Sequence, residues 1–186
     1  MTAATADIPF APTAWSPALR WLHWGVALLI FAAIALGVAA INMPRTPLRS
    51  EVLNLHKSIG ITVLGLAALR IVVRLAVAAP RYVPPLDTFA RIASKLGHLA
   101  LYALMIGLPL SGYVYSSAGN HPFDWFGLFP VPMEVPRDDA LGKLASEIHY
   151  IFAWGIGAML VVHIGAAVWH WRVRKDNVLA RMWPNA

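Results

Sequence analysis

The chain has 186 residues, of which 59% are hydrophobic and only 13% are charged. A chain this short and this apolar lies far from the composition of soluble domains, which indicates a lipid environment. It has no cysteine, and this excludes disulfides, iron–sulfur clusters and metal sites built on thiolates. Any metal chemistry therefore depends on the seven histidines.

Four long stretches between charged residues could each cross a membrane, since a spanning helix needs roughly 20 mostly apolar residues. In chain order they cover about Leu19 to Ile41, Val52 to Val77, Ala93 to Ser116 and Glu147 to Trp171. The stretch from Met1 to Pro17 is neither basic nor followed by a short apolar run, so we expect no cleaved signal peptide. The sequence predicts one membrane domain over residues 1–186, an all-α bundle of four spanning helices.

The basic residues are divided unequally between the two sides of the membrane that four spans define. The side that holds both termini and the middle loop carries ten basic residues, and the other side carries five. Cytoplasmic loops are enriched in Lys and Arg, so both termini are expected in the cytoplasm. This distribution accounts for the net charge of +6, and we expect no nucleic-acid partner.

Two histidines of the fourth segment, His149 and His163, are 14 residues apart. At 100° per residue this spacing is about 40° short of four full turns, and it covers about 21 Å along the helix axis. The two side chains therefore share one helix face, one near the outer surface and one in the inner half. Two stacked ligand sites would fit this spacing.

Two further histidines match these depths. The first segment runs outward, so His23 lies on the inner half with His163, and the second runs inward, so His56 lies near the outer face with His149. Each pair could bind the two faces of a heme iron, for which neutral imidazole is a good ligand. Hydrogen bonding between helices is the simpler alternative, zinc is disfavoured by two-histidine sites without carboxylate or thiolate, and a proton-relay transporter would need no heme.

The second segment also offers cationic partners for heme propionates. Arg70 follows His56 by 14 residues, and Arg74 is one turn further on, so both project to the cytoplasmic end of the histidine face. Arginine binds carboxylates in a bidentate manner, although both side chains could instead extend to lipid headgroups. Small residues beside the ligands could leave room for a porphyrin or serve ordinary helix packing; they are Gly60, Gly65, Gly155, Gly157 and Gly165.

Two other histidines have less certain roles. His98 lies near the cytoplasmic end of the third segment, where it could replace His23 as partner of His163, and spacing does not decide between them. His170 follows His163 by seven residues and lies at the inner interface between two tryptophans. It could bind a quinone carbonyl or belong to an interfacial aromatic belt.

Short motifs occur along most of the chain. They are Arg20-Trp-Leu-His23-Trp24, His56-Lys-Ser-Ile-Gly60 followed by Arg70 and Arg74, Leu96-Gly-His98, Glu147-Ile-His149, His163-Ile-Gly-Ala, and Lys175-Asp-Asn-Val-Leu179 with Arg181-Met182. From Arg20 to Pro184 the chain resembles the bacterial cytochrome b561 family. The resemblance implies a four-helix cytochrome of the bacterial inner membrane with two b-type hemes. It favours His23 with His163 and His56 with His149, and it leaves His98 as a neighbour of a ligand or of a propionate.

Within that family the chain is most similar to the stand-alone type that oxidises superoxide on the periplasmic side and reduces ubiquinone. This function would need a cation near the outer heme, and Lys57, next to His56, is the best candidate, with His170 at the quinone end. The outer loops carry more acid than base, so any electrostatic attraction would be local. The alternative is a heme-bearing electron-transfer subunit, whose dehydrogenase or periplasmic redox donor would bind the loop over residues 120–143.

Overall fold

The computed structural model of the chain describes residues 13–184. Within them four long helices follow one another, and their bounds are α1 Pro17–Asn42, α2 Pro47–Ala76, α3 Thr88–Ala118 and α4 Asp139–Trp169. Each helix is long and apolar enough to cross a membrane. The protein is therefore an all-α integral membrane bundle. The expectation about a signal peptide falls largely on residues 1–12, outside the described part.

Four short elements complete the described part of the chain. Strands β1 (Asp124–Trp125) and β2 (Phe129–Pro130) pair antiparallel in the loop between α3 and α4. A π-helical turn (His170–Arg174) continues α4, and a 3-10 helix (Ala180–Met182) lies in the C-terminal tail.

All four helices begin earlier than the sequence predicts, by as much as eight residues for α4, which starts at Asp139 rather than near Glu147. The reason is capping by a polar side chain ahead of each apolar run. Side-chain oxygens accept hydrogen bonds from first-turn amides at every start, and the caps are Ser16, Thr46, Asp87 and Asp138. The apolar run marks the part of a helix in hydrocarbon, whereas the cap marks where the helix begins.

The helices pack unevenly. Helix α1 packs along α2, α3 packs along α4, and α2 meets α3. Within residues 13–184, α4 makes no comparable contact with α1 or with α2. The bundle therefore consists of two helix pairs joined on one side, and α4 is separated from α1 and α2 on the other.

A buried apolar layer joins the two helix pairs at mid-depth. It contains Val26 and Ile30 of α1, Ile59, Val63 and Ala67 of α2, Met105 of α3 and Ile156 of α4. Ile156 is only 1% exposed and lies seven residues from both His149 and His163. The layer therefore separates the half of the bundle that contains His149 from the half that contains His163, and we name them the outer and the inner half after the orientation expected from the sequence.

The C-terminal tail folds back over the inner end of α1. The amide of Trp15 donates to the carbonyl of Arg181 at 3.0 Å, and the indole of Trp24 donates to the carbonyl of Met182 at 2.8 Å. The buried Arg181 side chain in turn donates to the carbonyl of Pro80 at 2.7 Å. The tail thus ties the first helix to the loop between α2 and α3.

Candidate functional site

The outer half of the bundle holds a facing pair of histidines. His56 of α2 and His149 of α4 have ring centroids 6.1 Å apart, with their ring planes at 80°. Two imidazole nitrogens, each about 2 Å from one metal ion on opposite sides, place their ring centroids about 6 Å apart. The observed separation would allow both imidazoles to bind one metal ion between them.

The inner half holds an equivalent pair. His23 of α1 and His163 of α4 also have ring centroids 6.1 Å apart, with planes at 66°. The Nδ1 atom of His23 is buried and has no hydrogen-bond partner within residues 13–184. The structure thus brings together the pairs that matching depth predicts, and a buried imidazole nitrogen without a partner suits a metal ligand.

Each histidine pair connects two helices that do not pack against each other in the described part of the chain. His56 and His149 connect α2 with α4, and His23 and His163 connect α1 with α4, yet α4 has no extensive contact with either helix in the described residues. A planar macrocycle would need two helices that are separated in this way, with one histidine on each helix. The arrangement therefore fits a b-type heme at each end of α4.

Backbone carbonyls fix the orientation of the two outer rings. Nδ1 of His56 lies 2.8 Å from the carbonyl oxygen of Ala33, and Nδ1 of His149 lies 2.9 Å from that of Leu108. A neutral imidazole that donates from Nδ1 keeps the lone pair of Nε2 for a metal, which is how many metal-binding histidines are oriented. Both outer histidines are thus held with Nε2 available to bind a metal.

Two glycines allow this close approach of ring to backbone. A Cβ atom on Gly37 of α1 would lie 3.2 Å from Cε1 of His56, and one on Gly112 of α3 would lie 2.9 Å from Cε1 of His149. Neither glycine was predicted from the sequence, because the glycines expected beside a porphyrin all lie on α2 and α4. Matching depth could have suggested them, but which glycine faces a histidine depends on how the neighbouring helix is rotated.

The glycines predicted to flank a porphyrin differ in their surroundings. A Cβ atom would meet nothing within 4 Å at four of them, Gly60, Gly65, Gly157 and Gly165. At Gly155 it would lie 3.4 Å from the side chain of Leu104 on α3, so that glycine belongs to the contact between α3 and α4. Open space beside the other four remains available for a cofactor.

The two arginines of α2 lie in different surroundings. Arg70 is buried, its Nε has no hydrogen-bond partner within residues 13–184, and its guanidinium lies 5.6 Å from the ring centroid of Tyr102. Arg74 instead stacks over the ring of Trp15 at 3.9 Å. A buried cation without an anionic partner is costly, and a heme propionate would supply the missing charge at Arg70.

His98 of α3 also reaches the inner pair. Its ring centroid is 5.5 Å from that of His163, closer than the ring of His23, and its Nδ1 contacts the carbonyl of Ser94. Helix α3, which carries His98, packs directly along α4, whereas α1, which carries His23, makes no comparable contact with α4 in the described residues.

The two residues predicted to act on substrates lie at opposite ends of the bundle. Lys57 donates from Nζ to the carbonyl of His121 at 3.0 Å, which ties it to the outer loop, and it lies 5.1 Å from the ring centroid of Phe123. His170 pairs with the buried carboxylate of Asp176 across the π-helical turn. Within residues 13–184, no group of three or more His, Asp or Glu side chains is placed to hold a metal ion.

Comparison with known proteins agrees with this geometry. Residues 14–185 match the family model described as prokaryotic cytochrome b561. The chain is 32% identical over 167 residues to cytochrome b561 homolog 2 of Escherichia coli (strain K12), which covers 86% of each chain. It is 29% identical over 163 residues to a protein of Yersinia pestis named probable superoxide oxidase CybB, covering 88% of this chain and 92% of that one. The histidines are paired between helices that stand apart, and the family match covers nearly the whole chain. The protein therefore belongs to the prokaryotic cytochrome b561 family, whose members are membrane electron-transfer proteins with b-type heme.

Proposed function

We propose that the chain is a diheme cytochrome b that oxidises superoxide on the periplasmic side and reduces ubiquinone within the membrane. It would act as a single membrane domain of the bacterial inner membrane, with both termini in the cytoplasm. The observation that carries the proposal is that two histidine pairs cross the two places where α4 stands apart from α1 and α2.

Four histidines would hold the two hemes, His56 with His149 on the outer side and His23 with His163 on the inner side. When bound, each heme supplies reversible one-electron transfer. The choice of His23 over His98 follows the helix packing, because α1 stands apart from α4 whereas α3 packs along it. His98 would then lie at the edge of the inner site.

Arg70 would anchor the inner heme by binding a propionate. Its burial and its unpartnered Nε support this role, because a charge-assisted hydrogen bond compensates for the desolvation of a buried cation. Arg74 would contribute less, since its guanidinium already stacks on Trp15. It would hold the N-terminal segment against α2.

The apolar layer around Ile156 would insulate the two sites from water and ions. His149 and His163 are about 21 Å apart along α4, because 14 residues rise about 1.5 Å each. Electrons can cross an apolar layer between two cofactors, whereas hydrated ions cannot enter it. Transfer would therefore be limited to electrons.

The reaction balances with two superoxide ions for each quinone. Two superoxide ions lose one electron each and become two O2 molecules, and one ubiquinone takes up these two electrons and two protons to become ubiquinol. Lys57 would attract the anionic substrate at the outer site, where its ammonium lies at the junction of α2 and the outer loop. This attraction by Lys57 involves no covalent step.

His170 would act at the quinone end. A doubly protonated His170 would donate from Nδ1 to Asp176, which it contacts, and from Nε2 to a quinone carbonyl. Asp176 also accepts a hydrogen bond from the amide of Val178 at 3.1 Å, so the carboxylate itself is held by the turn. The pair could thus bind the quinone and donate a proton to it.

The superoxide assignment draws on a relative as well as on geometry. The Yersinia pestis protein is named a probable superoxide oxidase, and it aligns with most of this chain. The alternative function is an electron-transfer subunit that receives electrons from a protein docked on the loop over residues 120–143. That function would need the same hemes but a different donor.

The test is purification followed by heme analysis and rapid kinetics. We expect two hemes per chain, rapid heme reduction by superoxide, and reoxidation by ubiquinone. Single replacement of His56 or His149 by Ala should remove the outer heme, and replacement of His23 or His163 should remove the inner one. Loss of a heme in His98→Ala with retention in His23→Ala would refute the inner pairing. Two hemes that superoxide reduces no faster than free heme would leave the electron-transfer subunit as the function.

A further inference from the structure

The loop between α3 and α4 contains a small apolar hairpin. The antiparallel strands β1 and β2 enclose the tip, and no charged residue occurs from Trp125 to Met133. Three large side chains of the tip are exposed, Phe126 at 42%, Leu128 at 72% and Phe129 at 53%. A contiguous exposed apolar patch of this kind marks an interaction surface rather than a solvated loop.

The hairpin is attached to the membrane-spanning part of α2. The hydroxyl of Ser58 accepts a hydrogen bond from the amide of Phe126 at 3.0 Å and lies 3.2 Å from the carbonyl oxygen of Asp124. One turn further along α2, the hydroxyl of Thr62 accepts from the indole of Trp125 at 3.1 Å. Ser58 itself is fully buried beneath these contacts.

These attachments set the depth of the hairpin. Helix α2 runs inward, and Ser58 and Thr62 lie two and six residues beyond His56, which is about 3 and 9 Å nearer the membrane centre at about 1.5 Å per residue. The hairpin therefore lies beside α2 at the level of the outer histidine pair. It does not project away from the membrane.

Several backbone groups of the hairpin are satisfied by hydrogen bonds within the protein, which lowers the cost of lipid contact. The amide of Leu128 donates to the carbonyl of Trp125 at 2.9 Å, and the amide of Val131 donates to that of Phe123 at 3.1 Å. Phe126 holds a left-handed φ of 50°, which bulky residues rarely adopt. The ladder, the Ser58 hydroxyl and this turn together bury polar groups and present apolar side chains.

We propose that the hairpin over residues 124–130 is inserted in the outer leaflet, with Phe126, Leu128 and Phe129 against lipid near the boundary between headgroups and acyl chains. Its depth beside α2, its uncharged sequence and its aromatic side chains favour lipid over a protein partner, since aromatic residues are enriched at membrane interfaces. Leu55 of α2, three residues before Ser58, is also exposed. The proposal is independent of the electron donor.

The absence of cysteine makes site-directed spin labelling a direct test. A nitroxide attached to Leu128→Cys or Phe129→Cys would be studied by electron paramagnetic resonance in vesicles of phosphatidylethanolamine and phosphatidylglycerol. Collision with oxygen, which concentrates in lipid, is compared with collision with a water-soluble nickel complex. Val161→Cys, at a side chain that is 74% exposed on the spanning part of α4, is the lipid control, and Arg137→Cys in the same loop is the water control.

We expect both hairpin labels to favour oxygen over nickel by at least severalfold relative to the label at Arg137→Cys, with a depth shallower than that at Val161→Cys. Nickel accessibility equal to that at Arg137→Cys would show a water-exposed hairpin and overturn the proposal. Labels shielded from both reagents would show contact with a protein, either a second copy or a partner, and would also overturn it. An unchanged heme spectrum in each labelled variant verifies the fold.

Discussion

His56 and His149 face each other with ring centroids 6.1 Å apart, and each is held in the same way by a different neighbouring helix. Each Nδ1 meets a backbone carbonyl, and a glycine four residues after that carbonyl lies against the same ring. The two sets are Ala33 with Gly37 on α1 and Leu108 with Gly112 on α3. The outer site thus uses all four helices, two for its histidines and two for their orientation.

Gly112→Ala should weaken the outer heme site. The added Cβ would lie 2.9 Å from Cε1 and 3.0 Å from Nδ1 of His149, so the ring must move away from the carbonyl of Leu108. Loss of such an orienting contact typically lowers metal affinity about 10- to 100-fold. Heme titration and the low-temperature reduced spectrum would measure the change.

Two glycine variants serve as comparisons for that prediction. Gly37→Ala should have a smaller effect, since its Cβ would lie 3.2 Å from Cε1 of His56. Gly155→Ala should leave both hemes bound, because its Cβ would meet only the flexible side chain of Leu104 at 3.4 Å. Equal heme loss in all three variants would contradict the proposed orientation by Gly112.

Arg70→Met should lower affinity for the inner heme by about tenfold or more, because a charge-assisted hydrogen bond contributes about 1.5–3 kcal/mol. Arg70→Lys keeps the charge but loses bidentate geometry, so it should fall between wild type and Arg70→Met. Heme content and the reduction potential of the inner heme are the measurements. Arg74→Met is the control and should retain both hemes, since Arg74 stacks on Trp15. An unchanged inner heme in Arg70→Met would exclude the propionate contact.

Lys57→Gln should slow heme reduction by superoxide roughly two- to tenfold at low ionic strength, since one cation near the site is lost. The rate in the variant should also depend less on salt, because screening then has less attraction to remove. Stopped-flow kinetics would measure both effects. Lys57→Arg should restore most of the rate, and Lys143→Gln should match wild type. A rate that responds equally to Lys57→Gln and Lys143→Gln would show general surface charge rather than a local site.

His170→Gln should slow reoxidation by ubiquinone without loss of heme, because Gln can donate a hydrogen bond but cannot carry the proton. Asp176→Asn should have the same direction of effect, since the ring loses its orienting carboxylate. The rate of quinone reduction and KM for a short-chain quinone separate proton transfer from binding. Normal rates in both variants would show that His170 and Asp176 only stabilise the π-helical turn and take no part in quinone reduction.

The carboxylate of Asp87 should make the thermal stability of the protein depend on pH. Its carboxylate caps α3 by accepting from the amide of Ala90 and pairs with Arg174, and these contacts hold its pKa below the usual range. A lowered folded-state pKa means that the stabilisation is present above the unfolded-state pKa and is lost as pH falls through the folded-state value. Asp87→Asn keeps a good cap but no charge. It should therefore show a smaller loss of thermal stability on acidification than wild type, and an identical pH profile would argue against the contribution of Asp87.

The sequence was sufficient for the number of spans and for the matching of histidines by depth. Both follow from distances along the chain, since a spanning run has a fixed length and His149 and His163 keep one phase on one helix. The early helix starts were missed because an apolar run indicates which part of a helix lies in hydrocarbon. It does not indicate where the capping residue begins the helix. Asp138, the cap nine residues before the last predicted start near Glu147, shows how large that difference is.

Only the tertiary structure decided what lies between the helices. Whether the helix of His98 or that of His23 stands apart from α4 depends on how the helices pack, and whether Gly112 touches His149 depends on the rotation of α3. The hairpin beside Ser58 likewise depends on a contact between residues more than 60 positions apart. Helical periodicity fixes the phase and depth of a residue on its own helix, but the rotation and separation of neighbouring helices follow from the packing of all their side chains.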